Sequence, residues 1–198
     1  MVNVFGVKKG SGPLKKLSKT FCMHPFTGLA TREDGAVTAC CRSQPVGYVG
    51  EQTLEEIWNN DAMKRIRKQV LNGERPKECD ACFRLEDQGV ESLRQRHIRG
   101  NIPEARVNLY PDAMEKLKDD FSMPFEIPTI ELKLNNLCNL KCRICGSWSS
   151  SKWAIEEMEY LPKGANKKEH IAYTWLKQGK WPEESPNFWE NLKTLLPH

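Results

Sequence analysis

The sequence predicts a mixed α/β protein, α+β overall, built from short strands and several amphipathic helices. Three observations support this class. A turn signal precedes β-branched residues near the N-terminus, apolar residues recur at helical spacing in the middle, and an alternating run precedes a cysteine-rich loop. At 198 residues the chain can form one domain or two small ones.

The first strand and helices are predicted between residues 33 and 73. The segment 33–41 begins with Glu-Asp-Gly, a turn signal, and continues as one strand of a small hairpin. Thr53 and Glu56 have the spacing of a capping box, which predicts a helix start. The helical pattern is interrupted at 59–61, which predicts a kink or a new helix, and it ends at Gly73. The apolar helix positions are Leu54, Ile57, Trp58, Met63, Ile66 and Val70.

Later elements follow from the same signals. A short helix is expected from Pro111 to about residue 119. The run 130–134 alternates apolar and polar residues, which predicts a strand directly before the second group of cysteines. Ser147 is expected to cap the next helix, and Ser185-Pro186 marks a further helix start.

Composition limits the function classes. The net charge of +4 is a weak basic excess, and five lysines lie within residues 1–20. We expect this leader to be solvated and disordered, and we expect no nucleic-acid partner. No run approaches the roughly 18 apolar residues of a membrane span, and the N-terminus lacks the apolar core of a signal peptide. Because eight cysteines without an export signal favour metal or redox sites, the sequence predicts a cytoplasmic protein with no membrane partner.

Three cysteines lie within eight residues, Cys138, Cys142 and Cys145, with the spacing C-x3-C-x2-C. Soft thiolates select zinc or iron–sulfur clusters. A structural zinc site needs four protein ligands, whereas a [4Fe–4S] cluster can be held by three and keep one iron open. On a continuous helix the same offsets would form a core stripe, but the neighbouring asparagines Asn135, Asn136 and Asn139 favour a loop. We therefore predict a cluster site.

A second set is formed by Cys22, Cys40, Cys79 and Cys82, of which the last two form a C-x2-C pair. Four thiolates fit either a zinc ion or a fully ligated cluster, and the residues alone leave both open. Cys41 is spare in this assignment. Cys40 is chosen because it fits a Gly-x-Val-x-x-Cys phrase, although Cys41 stays an alternative.

The segment around residues 130–160 resembles the first β/α unit of radical S-adenosylmethionine (radical SAM) enzymes. It has a predicted strand, then the sequence Cys-Asn-Leu-Lys-Cys at 138–142 followed by Cys145, and then a predicted helix. The resemblance implies that Cys138, Cys142 and Cys145 hold a [4Fe–4S] cluster whose open iron binds SAM. Reductive cleavage of SAM would then give a 5′-deoxyadenosyl radical that acts on an unidentified substrate. No catalytic residue beyond the cluster ligands is predicted.

The segments 34–40 and 54–59, together with the pair Cys79-x2-Cys82, resemble the SPASM/twitch auxiliary module of radical SAM enzymes. The resemblance implies a second, auxiliary [4Fe–4S] cluster that acts as an electron conduit or substrate anchor. It also implies three partners: SAM itself, a peptide or other large substrate, and a reductant such as flavodoxin or ferredoxin.

The predicted organisation has four parts: a leader at 1–20, a twitch-like module at 21–83, a helical linker at 84–128, and the start of a radical SAM (β/α) barrel at 129–198. The family's Gly-Gly-Glu segment after the second strand is absent from the sequence. We therefore expect a truncated barrel, and a chain that is inactive by itself. The alternative is a non-enzymatic zinc or iron–sulfur module for electron transfer or protein interaction.

Other polar residues are not assigned to sites. The four histidines, His24, His97, His170 and His198, show no metal-ligand spacing and are expected to have surface or packing roles. Arg94, Arg96 and Arg99 form a basic stretch that we interpret as a solvated helix face.

Overall fold

A computed structural model describes residues 18–98 and 113–195. The predicted leader therefore lies outside the described residues except for 18–20, as do the start of the helix predicted at Pro111 and the position of Arg99. Residues 113–115 are helical and Ala113 is buried, as predicted, but the helix ends at residue 115, earlier than the predicted end near 119, because a turn follows it.

The described part contains four strands: β1 (Gly28–Thr31), β2 (Ala36–Thr38), β3 (Pro45–Tyr48) and β4 (Thr129–Glu131). The first five helices are α1 (His24–Thr27), α2 (Leu54–Trp58), α3 (Asp61–Asn72), α4 (Asp80–Asp87) and α5 (Leu93–Ile98). Four more follow β4: α6 (Ser151–Glu159), α7 (Ile171–Gln178), α8 (Trp181–Glu184) and α9 (Pro186–Leu195). Short 3₁₀ turns lie at Lys77–Cys79 and Lys167–Glu169. The mixed α and β class predicted from the sequence is confirmed.

The strands form one sheet in the order β3-β2-β1-β4. The turn between β1 and β2 is the one that the sequence predicts: Gly35 has φ +80°, and its backbone N–H donates to the carbonyl of Arg32 at 3.0 Å. Two predicted strands are shorter than expected. β2 ends at Thr38 because residues 39–42 bend away, and regular pairing after β4 stops at Glu131.

The two helices predicted between 53 and 73 are confirmed. α2 begins directly after Thr53, and α3 begins after the interruption because Asn60 caps it: the Asn60 Oδ1 accepts the N–H of Met63 at 3.0 Å. α3 ends where Gly73 adopts φ +84°. All six predicted apolar positions of these helices are buried.

The chain divides into two compact units. Unit 1 comprises the described residues of 1–29, 38–46 and 55–131, and unit 2 those of 30–37, 47–54 and 132–198. The core of unit 1 contains Phe21, Phe26, Trp58, Ile66 and Phe83, together with other apolar side chains of α2 and α3. In unit 2 the rings of Trp181 and Phe188 meet edge to face with centroids 4.9 Å apart, and Ala154, Ala172 and Leu192 are buried.

The helix after the second cysteine group begins later than predicted. Ser150, not Ser147, is its N-cap, and the Ser150 Oγ accepts the N–H of Trp153. The reason is that residues 147–149 form a turn in which the N–H of Ser149 bonds to the carbonyl of Gly146 at 3.0 Å. Among the described residues, no helix is long and apolar enough to cross a membrane.

Candidate metal centre

Four cysteines from three separate segments lie around one pocket in unit 1. Cys22 precedes α1, Cys40 lies in the loop after β2, and Cys79 and Cys82 lie at the start of α4. The pocket measures about 370 Å³, including space open to solvent. It is also lined by Thr20, His24, Arg42, Ser43, Val70, Phe83, Leu93 and Arg94.

The C-x2-C pair owes its geometry to the start of a helix. The Cys79 N–H bonds to the carbonyl of Pro76 at 3.0 Å in the 3₁₀ turn, and Cys79 is the N-cap residue of α4. Cys82 follows three residues later in the first turn, so both sulfurs lie on the same face of the helix. Thiolates also gain from the positive end of a helix dipole.

Cys40 is held in a tight loop closed by Ser43. The N–H of Ser43 donates to the carbonyl of Cys40 at 3.1 Å, and the buried Ser43 hydroxyl bonds to both backbone groups of Cys40. The next residue, Cys41, is exposed and does not line the pocket; its thiol contacts the carboxylate of Glu131. The structure therefore places Cys40, and not Cys41, with the other three cysteines.

The pocket disfavours free thiolates. Burial, and next the charge of Cys40, hold the pKa of Cys22 well above its ordinary value. Burial raises the pKa of Cys40 to about 11 and that of Cys79 to about 12, the latter with the help of Cys40 and Cys82. Four thiolates in one buried pocket therefore need a cationic group among them, because each negative charge opposes the others.

The donor set fits a metal or an iron–sulfur cluster. Four soft sulfurs line the pocket, and none of its described lining residues is a carboxylate that would favour a hard cation. Two arginines, Arg42 and Arg94, bring positive charge to the wall. Across residues 18–98 and 113–195, however, no group of three or more His, Cys, Asp or Glu side chains is arranged so that it could hold a metal ion.

The second cysteine group lies in unit 2, in an irregular loop folded onto the start of α6. The Cys145 N–H bonds to the carbonyl of Cys142 at 3.0 Å, which brings these two residues into one turn. The Ser151 hydroxyl bonds to both backbone groups of Cys138, each at 3.3 Å. The Trp153 indole N–H donates to the carbonyl of Cys142 at 3.1 Å. The backbone of the loop is thus pinned at several points, while Cys142 is exposed and the other two thiols are half-buried.

Apolar residues around this loop face outward. Ile144 is 91% exposed, Leu137 70% and Leu140 58%, so these side chains do not shield the cysteines within unit 2. Gly146 has a steric role next to the loop, because a Cβ at this position would overlap the Trp148 ring. An alanine here would therefore require the half-exposed Trp148 ring to move.

The segment that carries the four-cysteine pocket is similar to a known family. Residues 22–83 match the SPASM family, an iron-sulfur cluster-binding domain. The match begins at Cys22, and it includes all four cysteines that line the pocket and ends one residue after Cys82. No curated protein and no solved structure gives a significant match to the chain.

Sequence reasoning misses three residues of the pocket wall. The interpretation of Arg94 as part of a solvated face is wrong: the residue is 6% exposed and pairs with Glu86. His24 lines the pocket, and its Nε2 lies 2.6 Å from the Nδ1 of His97, which is 73 residues away in sequence. Arg42 directly follows the adjacent cysteines Cys40 and Cys41. Proximity to a pocket cysteine could have signalled Arg42, two residues after Cys40, and His24, two residues after Cys22, whereas the position of Arg94 depends on long-range packing.

Proposed function

We propose that this protein is a radical SAM-type protein with two [4Fe–4S] clusters, an auxiliary one in unit 1 and a SAM-binding one in unit 2. The observation that carries the proposal is the convergence of Cys22, Cys40, Cys79 and Cys82 on one pocket within the segment that matches an iron-sulfur cluster-binding domain. The triad Cys138, Cys142 and Cys145 supplies the second site.

At the auxiliary site the four thiolates would complete the ligation of a cluster, which supplies one-electron transfer. The chain contributes an enclosed wall, because Phe83, Leu93 and Val70 line the pocket beside the sulfurs. Such a setting limits access of water and controls the potential. A four-thiolate zinc site is the competing occupant, and iron and zinc analysis separates the two.

At the second site three thiolates would hold a cluster with one iron left for SAM, which supplies reductive cleavage to a 5′-deoxyadenosyl radical. The chain's own contribution is a loop with fixed backbone and half-exposed thiols, open to a ligand from solvent. The electron would come from a reductant such as flavodoxin or ferredoxin. Reduced thiol ligands also require a reducing compartment, so we place the protein in the cytoplasm.

The deciding experiment is anaerobic purification followed by iron, sulfide and zinc quantitation per chain. Two cubane clusters predict about eight irons and eight sulfides with little zinc. Cys142→Ala and Cys79→Ala should each lose about half of the iron, because each variant removes a ligand of a different cluster. One or two zinc ions without sulfide would overturn the proposal in favour of a non-enzymatic zinc module.

The SAM-binding claim has its own readout. After reduction, the electron paramagnetic resonance spectrum of the wild-type chain should change when SAM binds at the open iron, although we expect no cleavage of SAM by this chain alone. The same addition should leave the Cys142→Ala spectrum unchanged, because only the auxiliary cluster remains there. Absence of a SAM-dependent change in the wild-type chain would reduce the proposal to an iron–sulfur protein without SAM chemistry.

A further inference from the structure

We propose that Arg94 is the positioning residue of the four-cysteine pocket: it joins the Cys22 segment to α4 and places a positive charge beside the ligands, which Glu86 offsets from behind. This inference rests on the proposed auxiliary cluster, and it concerns the chain's own residues alone.

Arg94 fixes the segment that carries Cys22. The side chain comes from α5 and is 6% exposed. Its Nη1 donates to the carbonyl of Phe21 at 2.8 Å and to that of Lys19 at 3.1 Å. Because Phe21 directly precedes Cys22, this guanidinium nitrogen helps to hold the ligand segment in place.

The other side of the guanidinium binds the helix of the C-x2-C pair. Arg94 Nε donates to Glu86 Oε1 at 3.1 Å, and Nη2 donates to Oε2 of the same carboxylate. The Ser92 hydroxyl also donates to Glu86 Oε1, at 2.5 Å. Glu86 lies on α4 four residues after Cys82. A forked ion pair of this kind fixes orientation as well as distance, so Arg94 links two ligand segments that are far apart in sequence.

The two charges of the Arg94–Glu86 pair lie at different positions relative to the pocket. Among the described residues only Arg94 of this pair lines the pocket, while Glu86 approaches the guanidinium from α4. A reduced cluster carries one more negative charge than an oxidised one, so a nearby cation favours reduction and a nearby anion opposes it.

Arg75 provides a matched control. Its guanidinium carbon lies 5.0 Å from the centroid of the Phe83 ring, and that of Arg94 lies 5.2 Å from the same ring. Arg75 also forms a fork, with Asp87 at 2.8 Å for both bonds, but this pair is exposed and does not line the pocket. Arg75 therefore resembles Arg94 in its contact with the Phe83 ring and in its two-bond pairing with a carboxylate, but it does not lie beside the cysteine sulfurs.

The test uses the full chain in a Cys142→Ala background, so that the auxiliary cluster gives the signal. Iron, sulfide and the midpoint potential are measured for Arg94→Gln, Glu86→Gln and Arg75→Gln. We expect Arg94→Gln to lower the potential and Glu86→Gln to raise it, each by roughly a tenfold change in the one-electron equilibrium, or about 59 mV. Arg75→Gln should leave it unchanged. A merely structural role would not move the two potentials in opposite directions.

The following results would overturn the inference or the proposed function. Shifts of the same sign in Arg94→Gln and Glu86→Gln, or shifts no larger than that of Arg75→Gln, would overturn the inference while leaving the cluster itself established. If Arg94→Gln fails to retain a cluster, two other variants test the inference. Glu86→Gln must then raise the midpoint potential, and Arg94→Lys must keep it near the wild-type value. A wild-type chain without sulfide would instead overturn the proposed function.

Discussion

The guanidinium carbon of Arg67 lies 4.3 Å from the centroid of the Trp58 ring, and both side chains are fully buried in unit 1. Arg67 Nε donates to the carbonyl of Pro25 at 2.8 Å, and Nη1 donates to that of Phe121 at 3.1 Å. The guanidinium thus joins α3 to the segment after Cys22 through backbone carbonyls and an aromatic face. Burial lowers the pKa of Arg67 to about 10, so the group stays charged at neutral pH.

Arg67→Ala should lower the free energy of unfolding by about 3–5 kcal/mol, since it removes the guanidinium donor from one buried and one half-buried carbonyl and opens a cavity against Trp58. Urea unfolding of the metal-free chain measures this. Lys68→Ala, the exposed neighbour on the same helix, serves as the control and should change stability by less than about 0.5 kcal/mol. Equal effects of the two substitutions would show that the buried contacts do not carry the stability.

Asp120 gives a pH-dependent prediction. The Lys64 ammonium, and then the hydroxyl and N–H of Ser122, hold the pKa of Asp120 below its ordinary value of 3.8. Because the pKa is lower in the folded state, the carboxylate stabilises the fold above pH 3.8, and this contribution is lost as the pH falls through the folded-state pKa. Asp120→Asn should therefore unfold at lower urea than wild type at pH 7, and the gap should close in acid. A gap that widens in acid would contradict this, and Asp119→Asn is the control.

The choice between the adjacent cysteines can be tested directly. Cys40→Ser should lose the auxiliary cluster, about half of the iron, because Cys40 lines the pocket. Cys41→Ser should keep it, because the Cys41 side chain is exposed. Iron and sulfide per chain after anaerobic purification are the measurement. Iron loss in Cys41→Ser with retention in Cys40→Ser would reverse the assignment.

Gly146→Ala should disturb the second cysteine loop, because its Cβ would overlap the Trp148 ring. We expect a loss of about 1–3 kcal/mol in unfolding free energy and less iron retained by the triad. Gly50→Ala is the matched control, since nothing lies within 4 Å of its added Cβ. The double variant Gly146→Ala with Trp148→Gly should recover iron; failure to recover would mean that the ring is not the obstacle.

The local elements of this fold could be predicted from the sequence, whereas part of the pocket could not. α3 could be predicted because Asn60 and Gly73 act on the backbone within a few residues, and α2 because its apolar residues recur at helical spacing. The four pocket cysteines could be proposed because their chemistry is specific. Arg94 could not, since its burial depends on Glu86 and on the carbonyls of a segment more than 70 residues away. The predicted cap of α6 was wrong because four serines near its start, Ser147 and those at 149–151, offer similar caps, and the turn at 147–149 decides between them.

The spacing of α4 has a consequence for variation in this region. Cys79, Cys82 and Glu86 recur at intervals of three and four residues, so one side of α4 carries two cysteines that line the pocket and the carboxylate that pairs with Arg94. One inserted or deleted residue within this stretch would rotate the remainder of α4 by about 100° around the helix axis. Substitutions on the other faces of α4 should be tolerated. The number of residues between Cys79 and Glu86 should not change, because the positions of both sulfurs and of the carboxylate depend on it.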